Sequence, residues 1–246
     1  MKPTSEDLAP LLGSLCLTTM AEHYEALARQ AAGEGAGHVE YLRRLAEAEA
    51  AARYERSVLR RTKAARLPMV KTLEQFDWSW PRKINRAQLQ DIFRLRFIEQ
   101  NTNVVLVGGV GLGKTHLALA LAHGACLANV PTLFTSAVEI VNALCAAQAS
   151  STLARALRAY VSPRLLVIDE LGYLPMDKRG SDLLFQVVSA RYERSATLIT
   201  TNIVYKEWTR IFNNDATLTT AILDRLVHHC ETVVIEGKSY RTRGEA

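Results

Sequence analysis

The stretch from Val104 to Ala122, VVLVGGVGLGKTHLALALA, limits what this chain can become more than any other. A short apolar run rich in valine reads as a strand buried on both faces. A glycine-rich loop follows, and then an apolar helix opens at Lys114 and Thr115. The loop matches G-x-x-x-x-G-K-[ST] at every fixed position: Gly108, Gly109, Val110, Gly111, Leu112, Gly113, Lys114 and Thr115. Glycines allow positive φ and bring main-chain N–H groups close to an anion. The positive end of the helix dipole points at the same place. Lys114 is expected to reach the β- and γ-phosphates of a nucleotide, and the Thr115 hydroxyl to serve as a Mg2+ ligand. A random chain of this length matches the pattern on the order of once in a hundred times. The flanking strand and helix are what give it weight.

Downstream, strands and helices alternate. PTLFTS, RLLVIDE, ATLITTN and ETVVIEG read as further strands, separated by AVEIVNALCAAQ, STLARALRAY, SDLLFQVVSARYER and TLTTAILDRLVHH as helices. Five Val/Ile/Leu-rich strands separated by helices predict a parallel sheet covered on both faces. Residues 103–246 are expected to form this domain. Residues 1–66 read as a small all-helical domain. Leu8, Leu11, Leu12 and Leu15 share one helix face, Tyr41, Leu42 and Leu45 begin another, and AAGEGAG at 31–37 separates them. Pro68 and Pro81 bracket a non-helical stretch within the connector, 67–102. Its aromatics Phe76, Trp78 and Trp80 either pack on the following domain or flank a ligand.

The strand LLVID ends in two acids. Asp169 at its tip is placed to hold Mg2+, and Glu170 to act as the base for an attacking water. Asp followed by Glu points to triphosphate hydrolysis rather than to binding alone. TLITTN ends on Asn202, which is placed to orient that water or sense the γ-phosphate; Thr200 and Thr201 stand beside it. Arg225 lies among Leu223, Leu226 and Val227. It is either a snorkelling surface arginine or one that projects into a neighbouring subunit's nucleotide.

The net charge is +5. Arg53, Arg56, Arg60, Arg61, Lys63 and Arg66 face only Glu55 within their stretch, and Arg82, Lys83 and Arg86 follow. Such a strip is a solvated helix face or a phosphate-contacting one. The longest apolar run falls short of a membrane span, and the N-terminus lacks a secretory core. The four cysteines are scattered without C-x-x-C spacing, so reduced thiols in the cytoplasm and no zinc site are expected.

Together with KTLEQFDW and Glu207-Trp208, the segments VVLVGGVGLGKTHLALALA, LLVIDELGYLPMD, FQVVSARYERSATLITTN and AILDRLVHHCETVVIEGKSYR resemble IstB, over essentially the whole chain. IstB is a bacterial AAA+ ATPase family that assists the transposase of an insertion element. The resemblance implies an AAA+ sheet of order 5-1-4-3-2 preceded by a helical module. The stretch after Asn202 is expected to be too short for the C-terminal helical lid of most AAA+ proteins, a departure that this branch tolerates. It implies ATP and Mg2+ as cofactors and DNA-stimulated hydrolysis. It also implies ATP-dependent homo-oligomerisation on duplex DNA, which is bent, and recruitment of the transposase. Arg225 matches the family's trans-acting arginine in DRL; Arg241 in GKSYR and Arg191 in RYER rank behind it, Arg241 near the γ-phosphate. DNA contacts are expected from Arg53, Arg56, Arg60, Arg61, Lys63, Lys178 and Arg179. The competing reading is a DnaC-like replicative helicase loader, whose ATPase core would look the same. A small-substrate P-loop kinase fits the Asp-Glu pair less well.

Overall fold

The computed structural model describes residues 8–240. The chain divides into two compact units, residues 1–60 and 61–246.

The first unit is helical. α1 (Leu8–Ser14) and α2 (Thr18–Gly33) precede α3 (His38–Ala64), whose last turn belongs to the second unit. α2 begins without a cap from its own N-cap residue, Leu17. The Glu49 carboxylate of α3 supplies it instead. Glu49 Oε2 accepts from the Thr19 and Met20 amides at 2.8 and 3.0 Å, which are orphan donors at a helix start. Its Oε1 accepts from Arg53 and Arg56 at 2.9 and 3.1 Å.

The second unit is an α/β sandwich. The expected connector contains two short helices that periodicity did not reveal, α4 (Arg86–Ile92) and α5 (Arg96–Glu99). At seven and four residues they are too short to show a repeat. The strands are β1 (Asn103–Gly108), β2 (Thr132–Ser136), β3 (Leu165–Leu171), β4 (Ala196–Thr201) and β5 (Cys230–Ile235). All pair in parallel, in the order β2-β3-β4-β1-β5. This is the expected 5-1-4-3-2 order, read from the other edge. The linking helices are α6 (Lys114–Leu127), α7 (Ala137–Ala149), α8 (Leu153–Val161), α9 (Lys178–Arg191) and α10 (Ala216–Val227), with a 3-10 helix at Tyr205–Arg210.

Alternation along each strand builds two cores. Val104 and Leu106 of β1, with Leu165 and Val167 of β3, face α6 residues Leu117 and Leu121 and the connector's Phe76 and Leu89. Val105, Val107, Leu166 and Ile168 enter the opposite core with Ile140, Leu144, Leu184 and Val187 of α7 and α9. The parallel strands all end on one edge, where polar side chains from β3 and β4 gather. That edge carries the site. No described helix is long and apolar enough to cross a membrane.

Candidate nucleotide site

β1 delivers the chain to the loop Gly108–Gly113, and α6 starts at Lys114. Gly113 is the residue where glycine is required. It sits at φ +82°, and a Cβ there would come within 2.6 Å of the Phe76 ring. Gly111, at φ +74°, accepts the Tyr240 amide on its carbonyl at 2.8 Å. The Lys114 ammonium donates to the carbonyls of Gly108 and Gly109 at 2.8 and 2.7 Å. A phosphate oxygen, being charged, is a stronger acceptor than either.

The acids arrive on β3. Asp169 is buried and Glu170 exposed. The β3–β4 register slips between Ile168 and Leu171, and Glu170 adopts a left-handed φ of +58°. This is a bulge, the device that re-aims a side chain at a strand end. Thr115 Oγ1 donates to Asp169 Oδ1 at 3.1 Å, so the loop's hydroxyl and the strand's carboxylate converge. Thr200 of β4 donates to the same oxygen and accepts the Glu170 amide at 2.9 Å.

A cavity of about 650 Å³ opens over these groups. Its lining includes the phosphate loop, Glu170, Thr200 and Asn202, together with Phe76, Trp80, Pro81 and Tyr240. Phe76 is in the core as well, edge-on to Trp78 and to His116. Trp80 Nε1 donates to the Lys238 carbonyl at 2.9 Å, and its ring meets Tyr240 edge to face at 5.3 Å. Of the two alternatives for the connector aromatics, packing describes Trp78, Trp80 borders the cavity, and Phe76 does both.

A cavity rimmed by a phosphate-type loop, Glu170 and a polar strand tip, with buried Asp169 behind Thr115, is the arrangement expected of a P-loop ATPase, and comparison with known proteins bears on which kind. Residues 10–246 match the model of the IstB-like ATP binding protein family. The chain belongs to that family. An ATP-binding protein of insertion sequence IS21 from Pseudomonas aeruginosa is 38% identical over 96% of this chain and 89% of its own length. One of insertion sequence IS5376 from Geobacillus stearothermophilus is 37% identical over 93% and 91%. Among solved structures, AMPPCP-bound DnaA from Aquifex aeolicus superposes with TM-score 0.56 at 20% identity, covering 72% of this chain and 54% of that one. The DnaC helicase loader gives 0.54 at 18%, covering 67% and 96%. These likenesses are of fold, and the fold is the AAA+ P-loop sheet behind an N-terminal helical region.

Other family-specific residues fall elsewhere. Arg225 is half-buried on α10, its guanidinium 5.0 Å from the Phe185 ring centroid and donating to the Ala221 carbonyl at 2.9 Å. Arg191 corrects an expectation. It is 2% exposed, so it does not reach outward across an interface. Its guanidinium donates to the carbonyls of Tyr160, Val161, Pro163 and Ala196 and to Thr197 Oγ1. It locks the ends of α8 and α9 to β4. Burial, with Arg164 nearby, pushes its pKa down to about 10, which leaves it charged at neutral pH.

The basic strip is not a uniform solvated face. Arg53 also donates to the Cys16 carbonyl and Arg56 to Thr18 and Thr19, so both work within the helical unit. Arg61 holds the Cys126 carbonyl and Asn129. Arg60 donates to Ser57 at 3.4 Å, and Lys63 is exposed. Lys178 and Arg179 begin α9, where Arg179 donates to Gln148 and to the Cys145 carbonyl. Arg241 lies outside the described residues.

The sequence missed two things. Thr200 joins both acids, a role that no local pattern encodes because its partners lie 30 and 31 residues away. Trp80 and Tyr240 meet across 160 positions of chain, and only the sheet order brings them together.

Proposed function

We propose that this protein is a Mg2+-dependent ATPase that assembles on duplex DNA, bends it, and recruits and stimulates the transposase of its own insertion element. The observation that carries the reading is the convergence of Thr115, Asp169 and Glu170 at the mouth of a glycine-loop cavity, in a chain of this family. The triphosphate is held by the amides of Gly108–Thr115 and by Lys114. The donor set fits Mg2+: a hydroxyl and a carboxylate 3.1 Å apart are hard oxygen ligands that leave room for phosphate oxygens and water. Thr115 and Asp169 would hold the ion, which would supply charge neutralisation at the phosphates. Glu170 takes the proton from the attacking water, and Asn202 orients that water. The base of the nucleotide lies toward Phe76, Trp80 and Tyr240. Arg225 acts in trans: released from the Ala221 carbonyl, it reaches the nucleotide of the adjacent subunit.

The relatives from insertion sequences support the transposition role. DNA is gripped through phosphates from Lys63, Lys178, Arg179 and Arg60, with salt-dependent and weakly sequence-specific affinity. The helical unit is assigned to the transposase. Electron microscopy of the full chain with duplex DNA, with and without ATP, tests the reading. Regular assemblies that need ATP and are lost in Lys114→Ala are expected. Equal clustering on DNA without nucleotide would overturn it.

A further inference from the structure

We propose that Thr200 is a positioning residue that sets both acids of the site through one hydroxyl. The inference rests on the ATPase reading above and adds a residue to it. Thr200 is 1% exposed, at the end of β4. Its hydroxyl proton goes to Asp169 Oδ1, and its oxygen accepts the Glu170 amide at 2.9 Å. One proton and one lone pair are thus committed to adjacent residues of the neighbouring strand.

Each bond does separate work. Asp169 Oδ1 also accepts from Thr115, so the Thr200 bond fixes which carboxylate oxygen meets the phosphate loop. The Glu170 amide is the one the bulge turns out of the β3–β4 ladder. A left-handed glutamate is sparsely populated and persists only where the surroundings determine it. Thr200 supplies that determination. Without its hydroxyl, Glu170 regains access to extended φ and its carboxylate swings away from the polar tip of β4. Thr201 shows the division of labour. Its hydroxyl donates to the Leu171 carbonyl at 2.7 Å, which re-closes the ladder just past the bulge. The two threonines bracket Glu170 from the same strand: Asp169 and Glu170 stand against the single Thr200 between the pairs Ile168–Ile199 and Leu171–Thr201.

The test compares Thr200→Val, which keeps the shape and removes the hydroxyl, with Thr200→Ser, which keeps the hydroxyl. Thr200→Val is expected to lower kcat for ATP about 10- to 100-fold, the range for a misplaced catalytic group. KM for ATP should change less than about twofold, because the loop amides and Lys114 are untouched. Mg2+ is then titrated against binding of a fluorescent ATP analogue, without turnover. A higher Mg2+ requirement in Thr200→Val is expected, with the wild-type requirement restored by Thr200→Ser. Thermal melting of both variants reports folding. If Thr200→Val is folded and matches wild type in kcat and in Mg2+ requirement, the positioning role is overturned. If Thr200→Ser fails to rescue while melting normally, the hydroxyl is not the active feature and the role is likewise overturned. If the wild type itself neither binds nor hydrolyses ATP, it is the ATPase reading that fails.

Discussion

At the scale of single residues, the proposed reading separates holding from acting. Lys114 and the loop amides are placed to bind, while Glu170 is exposed beside the cavity with its backbone turned by a bulge. Glu170→Gln keeps the size and removes the base. ATP binding is expected to stay within about threefold of wild type and hydrolysis to fall by about 10² to 10⁴, measured by phosphate release alongside equilibrium binding. Normal turnover would remove Glu170 from its role. The positions of the loop and of the acids were legible in sequence, because each occupies a few consecutive residues. Thr200 was not, because its role arises only where β3 and β4 lie side by side.

At the scale of elements, two charged side chains do work usually left to caps and cores. Arg191 ties carbonyls at the C-terminal end of α8 and at the start of β4. Arg191→Lys keeps a charge and loses the planar fork, so several buried carbonyls go unpartnered. We expect a loss of about 1–3 kcal/mol, read from the denaturant midpoint of the full chain. RYER suggested an outward-reaching arginine, and sequence alone does not distinguish that from an inward one. The local pattern of the helix is the same, and what differs is which carbonyls end up nearby.

Glu49 caps α2 from another helix. Burial works to raise its pKa, but the Met20 amide, Arg53 and the Thr19 amide outweigh it and hold the carboxyl below the ordinary glutamate value. A carboxyl depressed in the folded state stabilises above its unfolded pKa, and that contribution disappears as pH falls through the lowered value. Hydrogen exchange at the Thr19 and Met20 amides of the full chain should therefore be faster in Glu49→Gln than in wild type at pH 7. The difference between the two proteins should shrink once both are acidified below the glutamate range. A difference that is constant with pH would exclude the ionised carboxylate as the cap.

At the scale of the whole molecule, the proposed reading has one protomer complete another. Arg225 is not among the residues lining the described cavity and rests on its own helix over Phe185. Arg225→Ala is expected to bind ATP normally and to hydrolyse it about 10³-fold or more slowly. Mixing it with Lys114→Ala, each inactive alone, should restore part of the activity. Interfaces then form in which an intact arginine faces an intact phosphate loop. Mixtures no more active than their parts would show that the arginine does not act in trans.

The sequence by itself determined the five strands with the helices between them, the phosphate-type loop, the tip acids and the family. Each is written in contiguous residues whose spacing carries the physics: period two or continuous apolar runs for strands, fixed positions for the loop. Only the tertiary structure decided what the polar side chains between these segments do. Arg191 faces inward, Glu49 caps a distant helix, Thr200 joins the two acids, and Trp80 meets Tyr240 at the cavity wall. A hydrogen bond is short-ranged and indifferent to separation along the chain, so its partner is known only once the sheet order has placed it.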